Sequence, residues 1–499
     1  MLSSWIWSLS VLAVGLQQLP GSHSNAVSES EQPSRDSQPG ASSTGMQVLG
    51  PDMGPLLLSS YIEACDYDKA KQLSKVELFQ QYAQATAYSG YITVNSTTKS
   101  HLFFLFIVSQ GNNSNDPFLL WTQGGPGLSA LFGQFLQNGP VAFSLPMNLT
   151  KRTNTLHQTM NLLYLDVPVG AGFSYTETQD GYSKSLEDIT KDITEFLNQF
   201  FQLFFEYKNR DFYFGGESYG ARYSVAVAHD LLKDKRNLPI NVKGVIGGNG
   251  FLGPILETAE SSDFLYQTSM LTEEGRQIFK EAFKNVSLLR SSSPQNAILL
   301  LFSAIFADFT HAQRTLFQNL TLYNDHASPL HTERPLIMLK CYGFLSDPKM
   351  KVVFHAGINN TFEYNNENLQ TNLLLDWLRD ITNMTEDVLN KTKVLLYTGQ
   401  LDALFPSVNQ RTYFSKLQWR YAEEYKTSER CLWKLPNQPY NGAGYLKQAT
   451  TLWEAVVLGM SHYGAVDKPD AAWHLITKFI EGTLACPSPT KSQEGLKEN

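Results

Sequence analysis

Short, almost wholly apolar runs alternate along this chain with longer segments in which apolar residues recur every three or four positions. The short runs predict strands and the periodic segments predict amphipathic helices. The predicted strands lie at 88–94, 101–108, 117–121, 161–167, 212–214, 242–248, 393–397 and 454–458, and the predicted helices at 185–204, 219–232, 271–283, 296–309 and 470–481. This alternation predicts an α/β fold in which a mostly parallel central sheet is covered by helices on both faces.

The alternation is interrupted after residue 252, where helical patterns dominate and strand patterns are scarce. We therefore predict a cap insertion, residues 253–340, between two parts of one core, residues 55–252 and 341–482. An apolar run at 5–16 is too short to span a bilayer and predicts a signal peptide over 1–21. Residues 22–54 are rich in Ser, Gln, Gly and Pro, which predicts a disordered leader or propeptide, and 483–499 form a C-terminal tail.

Composition and charge narrow the classes of function. The 499 residues are 42% hydrophobic and 12% aromatic, as in globular proteins. The formal net charge is −8 and no long basic run occurs, which argues against a nucleic-acid partner. No uncharged apolar run of about 18 residues follows the predicted signal peptide, so we expect no transmembrane segment.

Two further patterns favour passage through the secretory pathway, with a secreted or lysosomal product. Four cysteines, Cys65, Cys341, Cys431 and Cys486, lack metal-ligand spacing. In an oxidising compartment they allow up to two disulfides in three connectivities, the alternative being buried free thiols. The chain also carries N-x-S/T acceptors for N-glycosylation at Asn95, Asn112, Asn148, Asn285, Asn319, Asn359, Asn383 and Asn390.

The clearest chemical signal is the pattern G-x-S-x-G around Ser218. It follows the predicted strand at 212–214 and precedes a segment with helical character, so Ser218 is expected on a tight strand-to-helix turn. Gly216 and Gly220 suit such a turn because the backbone there passes close to its neighbours. The pattern therefore predicts a nucleophilic serine, the alternative being an ordinary glycine turn.

An acid and a histidine follow in the order that this chemistry needs. Asp402 comes just after the predicted strand 393–397, and His462 just after the strand 454–458. Open α/β sheets build their sites at the carboxyl ends of strands, and the order Ser, Asp, His is that of α/β-hydrolases. We therefore predict that Ser218 attacks a carbonyl, that His462 takes and returns its proton, and that Asp402 orients the imidazole.

Several stretches together resemble the serine carboxypeptidases of the α/β-hydrolase superfamily, and among these the chain is most similar to the vitellogenic carboxypeptidase-like group. The matching stretches are Trp121–Gly127, Asp166–Tyr175, Gly216–Tyr219, Tyr397–Asp402 and His462–Pro469. The likeness extends from about residue 55 to residue 481. It implies an α/β-hydrolase fold with a helical cap.

The resemblance also implies an activity. It implies a serine-type carboxypeptidase that releases C-terminal amino acids from peptides with a free C-terminus, without a metal or a cofactor. The backbone N–H groups of Gly125 and Tyr219 are implied as donors to the oxyanion. Recognition of the substrate α-carboxylate is implied for Gln123, Gly124, Gln137 and Glu217.

The chain departs from the common family pattern at positions near these residues. Gln123 stands in place of Asn, Gln137 in place of Glu, Ser461 in place of Gly and Ala465 in place of Pro, and Gly220–Ala221 inverts the usual Ala-Gly. Because Gln137 cannot ionise, we expect activity at higher pH than in a relative with paired glutamates. The departures leave two alternatives open, a catalytically weak secreted homologue with a binding role and an acyltransferase on the same scaffold.

Overall fold

A large sheet of 11 strands runs through the centre of the computed structural model, with a separate two-stranded hairpin beside it. The structure describes residues 54–486 except 112, 234–237 and 307–313. The strands are β1 (Ala87–Asn95), β2 (Ser100–Ile107), β3 (Phe118–Thr122), β4 (Val141–Ser144), β5 (Asn148–Lys151), β6 (Asn161–Leu165), β7 (Tyr175–Thr176), β8 (Asp211–Glu217), β9 (Asn241–Gly248), β10 (Lys393–Gly399), β11 (Cys431–Lys434), β12 (Gly442–Gln448) and β13 (Leu452–Val457).

The middle of the sheet is parallel and its edges are antiparallel. In the order β1-β2-β6-β3-β8-β9-β10-β13-β12-β11, the six strands from β6 to β13 pair in parallel, and β7 pairs with β2. The pairs β1–β2, β2–β6, β12–β13 and β11–β12 are antiparallel. Because β8, β9, β10 and β13 are parallel neighbours, their carboxyl ends meet at one edge of the sheet.

Helices cover both faces of this sheet. They are α1 (Ser59–Glu63), α2 (Tyr67–Ser74), α3 (Glu77–Ala83), α4 (Leu186–Leu203), α5 (Tyr219–Lys233), α6 (Ile255–Thr258), α7 (Ser262–Gln267), α8 (Glu273–Leu289), α9 (Pro294–Ile305), α10 (Leu316–Thr321), α11 (Leu336–Ser346), α12 (Pro348–Val353), α13 (Glu367–Asn372), α14 (Thr382–Lys391), α15 (Ser407–Lys416), α16 (Ala422–Thr427) and α17 (Pro469–Ile480). A π-helical turn spans Gly133–Asn138, and 3₁₀ turns span Leu156–Gln158, Gln179–Gly181, Phe205–Tyr207, Leu374–Leu378 and Gly464–Val466.

Strand β2 shows how the sheet separates two cores. Phe104 and Phe106 belong to one apolar cluster, and Phe103 and Leu105 belong to the other, on the opposite face. All four side chains are buried, since successive residues of a strand point to opposite faces and both faces are covered. The continuous apolar run in the sequence is thus explained by a strand that is buried on two sides.

Helix α4 covers one face, and its limits follow from its sequence. Ser185 accepts a hydrogen bond from the backbone N–H of Asp188, and the Asp188 carboxylate accepts one from the backbone N–H of Ser185. This reciprocal cap satisfies two backbone donors at the start of the helix. The six periodic apolar residues that predicted the helix are all buried, namely Leu186, Ile189, Ile193, Phe196, Leu197 and Phe200.

Most elements predicted from apolar patterning are present. The predicted helix 296–309 corresponds to α9, although residues 307–309 lie outside the described part of the chain. Between β9 and β10 the described residues contain helices and no named strand, in agreement with the helical pattern there. The boundaries of the cap at 253 and 340 and of the flanking core segments remain predictions.

The N-terminal predictions fall almost wholly outside the described residues. The predicted signal peptide, the predicted leader up to residue 53 and residues 487–499 of the tail lie outside the described part of the chain. None of the described helices combines the length and apolar character that crossing a bilayer requires.

One disulfide joins two of the four cysteines. Cys431 in β11 is bonded to Cys486, which follows α17. Cys65 is a free thiol at the surface, and Cys341 is a free thiol in the core. Of the two disulfides that the sequence allows, one is therefore present, and the alternative of a buried thiol holds for Cys341.

Candidate active site

The three residues predicted to carry the chemistry lie at one edge of the sheet. Ser218 follows β8, Asp402 follows β10 after a short turn, and His462 follows β13. Their positions in sequence are far apart, but these strands are parallel and separated only by β9. The topology thus brings the loops after the three carboxyl ends together, as is usual for sites in open α/β sheets.

His462 bridges the other two side chains. Its Nε2 atom lies 3.1 Å from the Ser218 Oγ atom, and its Nδ1 atom lies 2.9 Å from the Asp402 Oδ2 atom. The other carboxylate oxygen of Asp402 accepts hydrogen bonds from the backbone N–H groups of Leu404, at 2.9 Å, and Phe405, at 2.8 Å. These bonds fix the carboxylate, so Asp402 holds the imidazole with Nε2 facing the serine hydroxyl.

Ser218 has the strained backbone of a nucleophile elbow. Its φ angle is +54°, in the left-handed region that non-glycine residues rarely adopt. A Cβ atom on Gly216 would lie 2.6 Å from the carbonyl carbon of Gly220, and one on Gly220 would lie 2.7 Å from the Thr122 carbonyl oxygen. The two glycines therefore allow the close passage of β3, β8 and α5 that exposes the serine hydroxyl.

The charge of Asp402 acts directly on His462. Burial works to lower the pKa of His462, but the charge and the hydrogen bond of Asp402 outweigh it, with smaller contributions from Glu217 and Asp325. The net result is a pKa above the usual value for histidine. Asp402 is completely buried, which strengthens its effect on the imidazole.

The glycine loop after β3 lies against the nucleophile. A Cβ atom on Gly124 would lie 3.1 Å from Ser218 Oγ, and Gly125 has a φ angle of +114°. Asp166 holds the far side of this loop, because one of its oxygens accepts hydrogen bonds from Ser129 Oγ at 2.7 Å and from the backbone of Ala130 at 2.8 Å. The loop is thus fixed beside the serine with no side chain between them.

The backbone N–H groups of Gly125 and Tyr219 are free to bind a ligand. Neither of them donates a hydrogen bond to another residue in the described part of the chain. Tyr219 is the first residue of α5, where backbone donors have no partner within the helix. Its side chain is anchored by a short hydrogen bond from its hydroxyl to Asp376.

Glu217 is the centre of a buried polar cluster next to Ser218. Its Oε2 atom accepts hydrogen bonds from Gln123 Nε2, at 3.2 Å, and from Gln137 Nε2, which lies closer still. Its Oε1 atom accepts one from the Tyr397 hydroxyl at 3.3 Å. Gln123 is itself oriented by Trp121, whose Nε1 donates to Gln123 Oε1 at 3.2 Å. Two of the polar side chains that the resemblance singled out, Gln123 and Gln137, therefore both contact the third, Glu217.

The ionisation of Glu217 is strongly perturbed. Burial raises its pKa to about 7, although the N–H donors of Gln137 and Gln123 and the charge of His462 act in the opposite direction. Only 2% of the residue is exposed. Below about pH 7 the cluster is therefore largely neutral, which suits the binding of a negatively charged group.

Two departures from the family pattern have a physical explanation. The Ser461 hydroxyl donates to Asp467 Oδ2 at 2.5 Å, so it points along its own loop while His462 remains in contact with Ser218. The Ala221 methyl group faces two glycines, since Cβ atoms on Gly247 and Gly250 would lie 3.3 and 2.9 Å from it. The inverted pair therefore places its methyl group where these glycines leave space.

Asn249 supports this site and was not among the residues predicted from the sequence. Asn249 Oδ1 accepts a hydrogen bond from the backbone of Gly399 at 2.7 Å, and Asn249 Nδ2 donates to the Ser461 carbonyl at 2.9 Å. One amide thus connects the ends of three strands, β9, β10 and β13. Asn249 follows β9 directly, so the rule that located Asp402 and His462 could have located it too.

Among the described residues, no group of three or more His, Cys, Asp or Glu side chains is placed to hold a metal ion. The polar groups around Ser218 instead form hydrogen bonds with one another.

The family to which this chain belongs is shown by comparison with known proteins. A family model described as serine carboxypeptidase matches residues 78–482. The chain belongs to the serine carboxypeptidase family. It is accordingly a hydrolase that acts on peptides, and neither a binding homologue nor an acyltransferase is favoured by this membership.

Relatives in the family cover most of the chain. It is 34% identical over 443 residues to the human probable serine carboxypeptidase CPVL, a match that spans 88% of this chain and 92% of that one. It is 33% identical over 433 residues to the venom serine carboxypeptidase of Apis mellifera, spanning 85% and 90%. It is 28% identical over 430 residues to the vitellogenic carboxypeptidase of Aedes aegypti, spanning 85% and 89%. The resemblance found in the sequence is thereby confirmed.

A solved carboxypeptidase structure has the same fold. Kex1(delta)p, a prohormone-processing carboxypeptidase from Saccharomyces cerevisiae, superimposes with a TM-score of 0.69 at 18% identity. The superposition covers 84% of this chain and 98% of that one. At this identity the likeness concerns the fold alone, and it agrees with the α/β-hydrolase prediction.

Proposed function

We propose that this carboxypeptidase releases single C-terminal amino acids through an acyl-enzyme on Ser218. The observation that supports this most strongly is the pair of His462 contacts, at 3.1 Å to Ser218 and 2.9 Å to Asp402. In this arrangement His462 removes the serine proton during attack and gives it to the departing amine. Asp402 fixes the tautomer and stabilises the imidazolium that forms.

The oxyanion of the tetrahedral intermediate is bound by two backbone donors, the N–H groups of Gly125 and Tyr219. Their lack of another acceptor among the described residues supports this role. Donors that are fixed before the reaction stabilise developing charge without reorganisation, and each contributes about 3 kcal/mol to transition-state stabilisation.

The cluster of Gln123, Gln137 and Glu217 binds the α-carboxylate of the substrate, with the backbone of Gly124 completing the subsite. The position of Glu217 next to Ser218 supports this, because it places a neutral polar cluster beside the reacting carbonyl below about pH 7. The subsite makes the enzyme an exopeptidase, since only a chain end carries the carboxylate.

Two blocked dipeptides that differ only in a free or an amidated C-terminus test this specificity. We expect kcat/KM to be higher for the free acid by about tenfold to a hundredfold at pH 6, since a hydrogen bond to a charged group contributes about 1.5–3 kcal/mol. The difference should appear in KM and kcat of wild-type protein and should be smaller in a Gln123→Ala variant. Equal kcat/KM values for both substrates would contradict the proposed subsite.

The pH dependence follows from the raised pKa of Glu217. Its carboxyl group is protonated below about pH 7 and ionises as the pH rises through that value, after which it repels the substrate carboxylate. For free-acid substrates we therefore expect KM to rise above about pH 7, and for amide substrates we expect no such rise.

Gln137→Glu provides the matched comparison. Two carboxyl groups in contact share a proton, so the pair starts to ionise at a lower pH than Glu217 beside an amide. The rise in KM should then begin at least about one pH unit lower in the variant. If kcat/KM of the wild-type enzyme instead collapses above about pH 5, the proposed role of Gln137 is wrong.

We also propose that the protein travels through the secretory pathway to a secreted or lysosomal destination and carries N-linked glycans. All seven described acceptors are exposed, namely Asn95, Asn148, Asn285, Asn319, Asn359, Asn383 and Asn390, whereas Asn112 lies outside the described residues. Peptide mapping of protein from a eukaryotic host, before and after enzymatic removal of N-glycans, tests this. Unmodified asparagine at every acceptor would contradict it.

A further inference from the structure

The segment Asp325–Ala327, between α10 and α11, contacts both loops that carry the acid and the base. The carbonyl oxygen of Ala327 accepts hydrogen bonds from the backbone N–H of His462, at 3.2 Å, and from that of Ala403, at 3.4 Å. Ala403 follows Asp402 directly. A single carbonyl from the middle of the chain therefore joins the loop after β10 to the loop after β13.

The side chain of Asp325 adds a second link to the His462 loop. Its Oδ1 atom accepts hydrogen bonds from the Tyr463 hydroxyl, at 2.7 Å, and from the backbone N–H of Ala327, at 3.1 Å. Tyr463 is the residue next to His462, and its ring is almost fully buried. Asp325 thus ties the base to a segment outside the strands that form the site.

The contribution of Asp325 to the stability of the fold does not explain why a carboxylate is buried at this position. Only 1% of Asp325 is exposed, and its Oδ2 atom has no hydrogen-bond partner within the described part of the chain. Burying a carboxylate whose lone pairs are incompletely satisfied costs several kcal/mol, and an apolar residue is often as stable or more so. A buried, partly satisfied carboxylate beside a catalytic loop is better explained by what it does for that loop.

We propose that Asp325 is a positioning residue for His462, which holds the histidine loop through Tyr463 and supplies a second negative charge that favours the imidazolium. The proposal rests on the function proposed above for His462. The hydrogen bond from Tyr463 orients the loop that carries His462, and the charge of Asp325 stabilises the imidazolium of His462. A substitution at each residue therefore tests each contribution separately.

Several charged groups surround this arrangement. His462 contacts Asp402 and is influenced by the charge of Glu217. Burial lowers the pKa of His326 to about 3, with smaller contributions in the same direction from the charges of Arg334 and His462. Burial raises the pKa of Asp325, while the hydroxyl of Tyr463, the backbone N–H of Ala327 and the charges of Arg334 and His331 lower it. Among these groups, Asp402 has the largest effect on His462 and Asp325 a smaller one. Removal of Asp325 should therefore shift the titration of His462 and leave the triad assembled.

Two conservative variants separate charge from orientation. Asp325→Asn keeps an oxygen that accepts from the Tyr463 hydroxyl and removes the charge, whereas Tyr463→Phe keeps the charge and removes the hydrogen bond. The readout is the rate at which a fluorophosphonate probe labels Ser218 between about pH 4 and pH 9, which depends on neutral His462 and needs no peptide substrate.

We expect Asp325→Asn to move the acid limb of the labelling rate to lower pH by about half a unit to one unit, because a charge that favours the imidazolium is lost. Tyr463→Phe should lower the labelling rate about tenfold at every pH without moving that limb. The control is Asp192→Asn, which removes a partly buried carboxyl group on α4 that accepts from Ser183. It should change neither quantity.

An acid limb that stays at the wild-type pH in Asp325→Asn, with labelling and thermal unfolding otherwise normal, would overturn the charge role. If Asp325→Asn does not fold, Tyr463→Phe decides, and a wild-type labelling rate in that variant overturns the positioning role. Failure of the proposed peptidase function is distinguishable, because it would abolish peptide hydrolysis in the wild-type enzyme and leave the labelling profile intact.

Discussion

Replacement of Ser218 by alanine is expected to lower kcat for a blocked dipeptide with a free C-terminus by about 10⁶-fold, as in a serine protease that has lost its nucleophile. The acyl-enzyme cannot form without the hydroxyl, whereas the oxyanion donors of Gly125 and Tyr219 remain. The residual rate of hydrolysis should therefore still exceed the rate of the uncatalysed reaction in water by about 10³-fold. The measurement is kcat under saturating substrate, with thermal unfolding measured in parallel.

A matched control lies on the helix that follows the nucleophile. Ser224 is buried, and its hydroxyl donates to the Gly220 carbonyl at 3.1 Å, without contact to the triad. Ser224→Ala should retain kcat within about threefold, since it removes one ordinary hydrogen bond within α5 and no contact of Ser218, Asp402 or His462. If Ser218→Ala kept more than about 1% of wild-type activity, Ser218 would not be the nucleophile.

Asp402→Asn is expected to lower kcat by about 10⁴-fold. The reason lies in how Asp402 is held. Its Oδ1 atom accepts from two backbone N–H groups, those of Leu404 and Phe405, so in the variant the amide oxygen takes this position. The amide NH₂ then faces His462 Nδ1 and donates to it, so the imidazole proton is forced onto Nε2. A protonated Nε2 atom cannot accept the serine proton.

The fold of this variant should be little changed, because asparagine has the shape of aspartate and keeps the two backbone hydrogen bonds. The acid limb of kcat/KM should also move to lower pH, since the charge that raises the pKa of His462 is gone. Asp192→Asn on α4 serves as the control, with unchanged kcat. A loss of less than about tenfold in Asp402→Asn would contradict the proposed triad.

The triad could be predicted from the sequence because its members obey one simple rule. Ser218, Asp402 and His462 each follow a buried strand, and apolar runs of that kind are conspicuous in sequence. Parallel strands place their carboxyl ends at one edge, so three strand ends define a site even before pairing is known. Apolar residues recurring every three or four positions likewise located α4 and α17, whose apolar stripes cover the two faces of the sheet.

Five marginal strands, β4, β5, β7, β11 and β12, were not predicted, whereas the antiparallel edge pair β1 and β2 was. Strands β4 and β5 form a hairpin whose outer strand is largely exposed, so it lacks the apolar run of a core strand. Strand β12 contains Gly442 and Gly444, residues that favour turns in sequence analysis. A Cβ atom on Gly444 would lie 2.2 Å from the Val456 carbonyl oxygen, so this glycine is required by close packing, which sequence patterns do not show.

The supporting residues of the site were missed for a related reason. Tyr397 ends a predicted apolar strand and was given no role in the site, yet its hydroxyl reaches Glu217. Asp325 lies in a segment without clear periodicity, and its contact with Tyr463 joins positions 138 residues apart in sequence. Such contacts depend on how the region between β9 and β10 folds back onto the sheet, and that path has no local signature.

Mass-spectrometric mapping of the residue modified by a fluorophosphonate probe tests directly whether Ser218 is the nucleophile and whether His462 activates it in the intact protein. We expect one modified residue, Ser218, in the wild-type enzyme and a labelling rate at least about a hundredfold lower in a His462→Ala variant. Absence of label on Ser218 in folded wild-type protein, or labelling that is unaffected by His462→Ala, would contradict it.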